Sequence, residues 1–293
     1  MEIAGGLLVL AAVGLIWTVG GSTRVLYPVR LSLSAVPSDF GLPWEGVKFS
    51  AADGTALSAW AIRHPDPCGL LLLLHGYGSS KAELLDVAGA LYRAGKFSIL
   101  LMDFRGHGES GAGAVGFGCR EIQDVQAALE FISKDSGLKG LPLGCWGVSM
   151  GGAIALWAGV KFPQILGVVA DSAYASVGKA IARAQWLTYH IPRVPLGQLV
   201  IWAVEFRLKC RMSGMDPIHR VGRIAPRALF LIHGGKDVTT PSSEGLELYR
   251  AAREPKAWWL VPEAEHATCY YDRAEEYVNK VTEFFQNVFL RTP

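Results

Sequence analysis

The 293-residue chain is poor in several features that assign a function class quickly. Neither sign of charge dominates: 28 Lys and Arg stand against 26 Asp and Glu, a net charge of +2. With no basic arm and no Cys and His at zinc-finger spacing, nucleic acid is excluded as the expected partner. Cysteine is scarce: Cys68, Cys119, Cys145, Cys210 and Cys269 are odd in number, and no two have metal-ligand spacing. Cys145 lies in an apolar run, so the pattern predicts buried thiols rather than a disulfide framework. No repeat with a period of about 20 to 50 residues and no low-complexity tract is present, which excludes solenoids and arrays. The length suits one α/β domain with a large buried core.

Charge is also missing locally. From Ile3 to Thr23, "IAGGLLVLAAVGLIWTVGGST" holds no charged residue. As a helix it would span about 31 Å at about 1.5 Å per residue, close to the hydrocarbon thickness of a bilayer. The expectation is a transmembrane anchor over residues 1–23. A cleaved signal peptide is the alternative, weakened by the lack of a basic n-region and of an A-x-A site. A buried core helix fits less well, because the run is apolar on all faces and precedes the first strand. Arg24 and Arg30 follow the run, whereas only Glu2 precedes it. The positive-inside rule then predicts a single-pass membrane protein with a cytoplasmic body; signal cleavage would instead give a secreted one.

What is present is an alternation. After a connector over residues 24–44, with Pro28, Pro37 and Pro43, the stretch 47–63 reads as two strands joined at Asp53-Gly54. "GLLLLLHG" is a continuous apolar run ending in glycine, as expected of a strand buried on both faces. "FSILLMD", "LPLGCWGV", "ILGVVAD", "RALFLIHG" and "AWWLVP" are similar. Helical patterns lie between or after them, over 81–94, 120–133, 149–161, 242–252 and 271–290. This order predicts a mostly parallel sheet covered by helices on both faces, with reactive groups at the carboxyl ends of the strands.

One interval breaks the rhythm. Residues 172–227 are too long for a simple crossover and predict a helical cap. They contain Trp186, Tyr189, Trp202 and Phe206, and nine Lys or Arg against only Glu205 and Asp216. The competing reading is an ordinary helical excursion with its aromatics packed inward and its basic groups merely solvated.

The sharpest local signal is "WGVSMGG", where Ser149 stands between Gly147 and Gly151 at a junction of strand and helix. A hydroxyl on a sharp strand-to-helix turn projects above the sheet, and the crowded backbone there needs glycine two residues before and after. The turn also aims the first amides of the helix beside the serine, so the Met150 N–H is placed to stabilise an oxyanion. A serine in a tight turn with no chemistry is the bland alternative.

In order along the chain, "LLLLHGYGSS", "LMDFRGHGES", "WGVSMGG", "ALFLIHGGKDVTTP" and "LVPEAEH" resemble the α/β-hydrolase superfamily over nearly everything after about residue 45. The likeness is to its serine esterase, lipase and serine aminopeptidase-like branch. It implies an α/β-hydrolase domain over 45–293 with the cap inserted at about 172–227. It also implies the order nucleophile, acid, base, which selects Ser149, Asp237 and His266. Asp171, ending the strand "ILGVVAD", is the rival acid; Asp103 matches a residue that is generally structural in the family. Among seven histidines, His75, His107 and His233 match structural positions, and His64, His190 and His219 match no motif. The second oxyanion donor implied is the backbone amide of Tyr77, in "HGYG". Its ring either lines an acyl pocket or packs under the cap.

The expected activity is hydrolysis of carboxylic esters or thioesters through an acyl-enzyme, with no metal or organic cofactor called for. A carboxylate would stand at position 149 in haloalkane dehalogenases and epoxide hydrolases. Peptide or amide cleavage stays open, although no acidic cluster offers to hold a peptide amino terminus. A basic, aromatic cap beside a membrane suits a lipid-like acyl substrate. The contrasting reading is a non-catalytic, membrane-tethered binding protein of the same fold. Oligomeric state is not legible.

Overall fold

The apolar runs become the strands of one eight-stranded sheet. The structure is a computed structural model that describes residues 2–190 and 192–291; the side chains of residues 2–13 and 193 lie outside that description. The strands are β1 (Glu45–Ser50), β2 (Ala56–Ile62), β3 (Gly69–Leu74), β4 (Phe97–Met102), β5 (Leu143–Val148), β6 (Ile165–Asp171), β7 (Ala228–Gly234) and β8 (Lys256–Val261). Their order across the sheet is β1-β2-β4-β3-β5-β6-β7-β8. β1 and β2 pair antiparallel through the predicted turn, where Gly54 has φ +84° and the Thr55 N–H donates to Asp53 Oδ1. β2 also runs antiparallel to β4, and every pairing from β4 to β8 is parallel.

β3 shows why a run without alternation belongs in the middle. Leu70 to Leu74 are all 0% exposed. Leu70, Leu72 and Leu74 enter the core on one face, and Leu71 and Leu73 enter the core on the other. Successive strand residues face opposite ways, so only an apolar run satisfies both covers. The helices are α1 (Glu2–Leu26), α2 (Leu85–Gly95), α3 (Glu121–Lys134), α4 (Met150–Lys161), α5 (Val177–Tyr189), α6 (Gln198–Leu208), α7 (Ser242–Ala251), α8 (Cys269–Asp272) and α9 (Ala274–Leu290). α5, α6, a π-helical turn between them and three turns of 3-10 helix fill the interval between β6 and β7 where a cap was expected.

Two expectations are not borne out. Among the described residues no helix is long and apolar enough to cross a membrane, so the transmembrane anchor is not supported. The described half of α1 instead docks on the folded body. It packs along α6, Ser22 and Leu26 are buried, and Arg207 Nη1 donates to Ser22 Oγ and Thr23 Oγ1 at 3.1 and 2.8 Å. The Val115 N–H donates to the Leu26 carbonyl at 2.8 Å. The described end of the run thus carries polar ties to α6 through Ser22 and Thr23, while Leu15, Ile16 and Val19 are exposed.

Second, Cys119 and Cys210 form a disulfide, tying the turn before α3 to the end of α6. Buried thiols are found at Cys145 and Cys269, and Cys68 is exposed. The bonded pair is 91 residues apart and brought together only by the helices between β6 and β7, so spacing carried no sign of it. The inward packing that the competing reading of 172–227 requires is not found, since Trp186, Tyr189, Trp202 and Phe206 are all exposed.

A buried ion pair fixes the loop after β3. Lys81 is 0% exposed, and its ammonium donates to Asp103 Oδ2, to Glu109 Oε2 at 2.8 Å and to Ser58 Oγ at 3.1 Å. Asp103 also accepts the Lys81 and Glu109 N–H groups, so this carboxylate holds two loops against the end of β4. Lys81→Met leaves the buried Asp103 charge without its cation and is expected to destabilise the fold by about 3–5 kcal/mol. Urea denaturation measures it; a loss below about 1 kcal/mol, the range of an exposed pair, would contradict this role.

Candidate active site

Ser149 lies between β5 and α4 with φ +54° and ψ −118°, a conformation that L-residues rarely adopt. Holding it costs on the order of 1–3 kcal/mol, so the surroundings must over-determine it. They do so by close backbone packing. A Cβ on Gly147 would overlap the Gly151 carbonyl, and one on Gly151 would overlap the Leu74 carbonyl of β3. One on Gly152 would lie 3.1 Å from the Asp171 carbonyl oxygen. The Ser149 N–H donates to the Asp171 carbonyl at 2.8 Å, and its own carbonyl accepts from the Ala153 N–H at 3.0 Å. The glycines are therefore required by backbone contacts on both sides of the serine. Gly151→Ala is expected to destabilise the fold by about 3 kcal/mol or more, because backbone rather than a movable side chain blocks the methyl group. A thermal-denaturation comparison tests this, and an unchanged midpoint would contradict it.

Met150 is the first residue of α4, so its N–H has no acceptor within the helix. Across from it lies the loop after β3, where a Cβ on Gly76 would stand 3.6 Å from Ser149 Cβ. Tyr77 follows on that loop. Its ring stacks on Phe117 at 5.4 Å, and its hydroxyl donates to the Arg24 and Val25 carbonyls of α1 at 2.8 and 3.1 Å. The Tyr77 ring lines the cavity beside Ser149, one of the two placements expected for it.

Two histidines brace this loop. His107 Nε2 accepts the Gly78 N–H at 3.0 Å, which leaves Nδ1–H to donate to the Arg105 carbonyl at 3.0 Å. His75 Nε2 accepts the Phe104 N–H at 3.0 Å, and Nδ1–H donates to the Gly76 carbonyl at 2.7 Å. Burial, with His107 close by, pushes the His75 imidazole down to about 4, so it stays a neutral strut.

Asp237 and His266 reach the serine from the next strand ends. Asp237 follows β7, is 5% exposed, and accepts the Thr240 N–H on Oδ1 at 2.7 Å. Its Oδ2 accepts from His266 Nδ1 at 2.7 Å. His266 lies in the loop between β8 and α8, and its Nε2 is 2.9 Å from Ser149 Oγ. With Nδ1–H committed to Asp237, Nε2 is the acceptor for the serine hydroxyl. Residues separated by 117 and 29 positions are thus joined by consecutive hydrogen bonds.

The other candidates are occupied elsewhere. Asp171 accepts from Ser172 Oγ and from the Tyr277 hydroxyl, each at 2.9 Å, and burial pushes its carboxyl up. Asp103 holds Lys81. His233 donates through Nε2 to the Thr240 carbonyl at 2.7 Å, so it braces the Asp237 loop. His64 Nδ1 accepts the Asp66 N–H, His190 caps α5, and His219 lies in a 3-10 turn. Sequence reasoning missed a supporting chain in which Tyr277 of α9 holds Asp171 and Ser172 Oγ accepts the Ala267 N–H, next to His266. Its only sequence trace is a tyrosine among the apolar positions of α9.

Ser149 and His266 open into a cavity of about 550 Å³ with mostly apolar walls. α5 supplies Ala180, Ile181 and Ala184, α6 supplies Val200, and α1 supplies Trp17 and Gly20. The contribution of α1 was also missed, because an apolar run reads the same whether it faces lipid or a cavity. Among the described residues no group of three or more His, Cys, Asp or Glu is placed to hold a metal ion.

A family profile described as "Serine aminopeptidase, S33" matches residues 65–227. YqkD of Bacillus subtilis (strain 168) is 26% identical over 240 residues, covering 81% of this chain and 78% of that protein. YfhR of Escherichia coli (strain K12) is 27% identical over 239 residues, covering 79% and 77%. Among solved structures, the esterase Pf2001 of Pyrococcus furiosus superposes with a TM-score of 0.76 at 26% identity, covering 90% of this chain and 98% of its own.

Proposed function

Since the chain belongs to the serine aminopeptidase, S33, family and has the α/β-hydrolase fold, we propose that it hydrolyses carboxylic esters or thioesters with Ser149 as nucleophile. The observation that carries this reading is the hydrogen-bond chain from Ser149 through His266 to Asp237 at the mouth of an apolar cavity. Ser149 Oγ attacks the acyl carbon as its proton passes to His266 Nε2. The negative charge that forms on the carbonyl oxygen is held by the amides of Tyr77 and Met150. Collapse breaks the ester or thioester bond, and the leaving alcohol or thiol takes the proton back from His266. Water then gives a proton to His266 and attacks the acyl carbon, and the carboxylic acid departs as Ser149 regains its proton. Asp237 keeps the ring in the tautomer that accepts at Nε2 and stabilises the imidazolium.

The apolar walls favour an acyl chain as the occupant of the cavity. Aminopeptidase activity, which the family description names, would need an anion for the peptide's ammonium group. None of the described residues lining the cavity is acidic. The reading is tested with p-nitrophenyl esters of increasing acyl length. The expected result is turnover whose kcat/KM rises from acetyl to longer chains. No turnover, or a strict preference for acetyl, would overturn the proposal or its acyl-chain part respectively.

A further inference from the structure

The mouth of the cavity opens among exposed apolar side chains. Ile16 of α1 and Tyr189 of α5 both line it, and both are exposed, Ile16 at 72%. The apolar surface continues on the neighbouring elements. Val19 follows Ile16 on α1, Trp186 lies one turn before Tyr189 on α5, and Trp202 and Phe206 stand one turn apart on α6. These helices touch one another. Trp17 of α1 meets the Tyr189 ring edge-on at 6.1 Å, and a Cβ on Gly21 of α1 would lie 2.9 Å from Val200 of α6. On α6, Val200, Val204 and Leu208 are buried at helical spacing, while Trp202 and Phe206 lie on the opposite side, Phe206 at 85% exposure. Large aromatics gathered on an exposed face mark a surface that meets a partner.

The same elements carry charge of one sign. Residues 177–211 hold six Lys or Arg, and Glu205 is their only acid. Residues 3–38 hold Arg24 and Arg30 and no acid. Cations border the apolar groups directly: the Arg24 guanidinium lies over the Tyr189 ring at 5.5 Å, and that of Arg207 over the Tyr27 ring at 5.7 Å. Lys209 and Arg211, exposed just beyond Phe206, form no ion pair among the described residues. A second copy of the chain fits this face badly, because a two-fold contact sets a patch against itself and would oppose like charges. An anionic bilayer fits both halves of it. Hydrocarbon receives the Ile, Val, Trp and Phe side chains, and lipid phosphates meet the Lys and Arg. Trp and Tyr, with an apolar body and a polar tip, suit that boundary.

We infer that the face formed by α1, α5 and α6 docks on the surface of an anionic phospholipid bilayer, with the mouth of the cavity against the lipid. The contact is made by side chains resting on the bilayer, not by a helix crossing it, and it needs none of residues 2–13. An acyl chain then passes from the lipid toward Ser149 without crossing water. Docking does not rest on the esterase reading; the use made of that passage does.

The test is flotation of the purified protein with vesicles of phosphatidylcholine alone or of phosphatidylcholine mixed with phosphatidylglycerol. Partition into the anionic vesicles is expected to be about tenfold or more stronger, and to weaken as salt is raised. Trp202→Ser combined with Phe206→Ser, and separately Lys209→Gln combined with Arg211→Gln, are each expected to lower it by about tenfold or more. None of these four residues lines the cavity, so the thermal midpoint and the turnover of a short p-nitrophenyl ester without vesicles are expected to stay unchanged. No partition, equal partition into the two kinds of vesicle, or partition that either pair of substitutions leaves intact would overturn the inference. A dimer in sedimentation equilibrium, dispersed by Trp202→Ser with Phe206→Ser and found in place of vesicle binding, would assign the face to a second copy and overturn it likewise. Absent ester turnover with vesicle binding intact would sink the esterase reading alone.

Discussion

Ser149→Ala protein is expected to lose about 10⁶-fold in kcat on a p-nitrophenyl ester while keeping its fold. The magnitude follows from the role proposed for the hydroxyl. Without it no acyl-enzyme forms, and only the amides of Tyr77 and Met150 and the walls of the cavity remain to assist water. The strained backbone at residue 149 is imposed by Gly147, Gly151 and the Asp171 carbonyl, none of which the substitution touches. The alanine methyl occupies the position of the serine Cβ, so thermal stability is expected to change little. A variant retaining more than about one per cent of wild-type turnover would move the nucleophile elsewhere.

Asp237→Asn is expected to lower kcat by about 10⁴-fold with little change in KM. The carboxylate accepts the Thr240 N–H on one oxygen and His266 Nδ1–H on the other. An asparagine that keeps its oxygen toward Thr240 turns its NH₂ toward His266. The ring then accepts at Nδ1 and carries its proton on Nε2, so the serine loses its acceptor. Because Asp171 is held by Ser172 and Tyr277, it does not substitute. Steady-state kinetics on the variant decides the matter; a loss below about tenfold would mean that Asp237 merely braces its loop.

The two predictions draw on features that differ in how readable they were. Ser149 was readable because its glycines are a backbone requirement, and such requirements leave residue-type signatures at fixed spacing. The sheet was readable because buried strands demand uninterrupted apolar runs, as at Leu70 to Leu74. His266 and Asp237 followed from chain order within a fold, not from any local property of "EAEHAT" or "GKDVTT". What stayed hidden depended on pairings across long separations. Cys119 meets Cys210 only through the packing of α6, and Tyr277 meets Asp171 only through the packing of α9. The docking of α1 on the body was not legible for a physical reason: hydropathy reports that a surface avoids water and is silent on what covers it. The polar details that separate the cases, Ser22 and Thr23 meeting Arg207, sit at its very end.

Tyr77 couples these parts. Its backbone amide belongs to the loop facing Ser149, and its hydroxyl is held by two carbonyls of α1. The helix that walls the cavity is thereby tied to the loop that would hold the oxyanion.

The most direct measurement of the central claim is mass spectrometry of the protein after exposure to a fluorophosphonate probe. One covalent adduct per chain is expected, on the peptide containing Ser149, and its formation is expected to slow sharply in His266→Ala. An unlabelled protein, or an adduct on a different residue, would contradict the account.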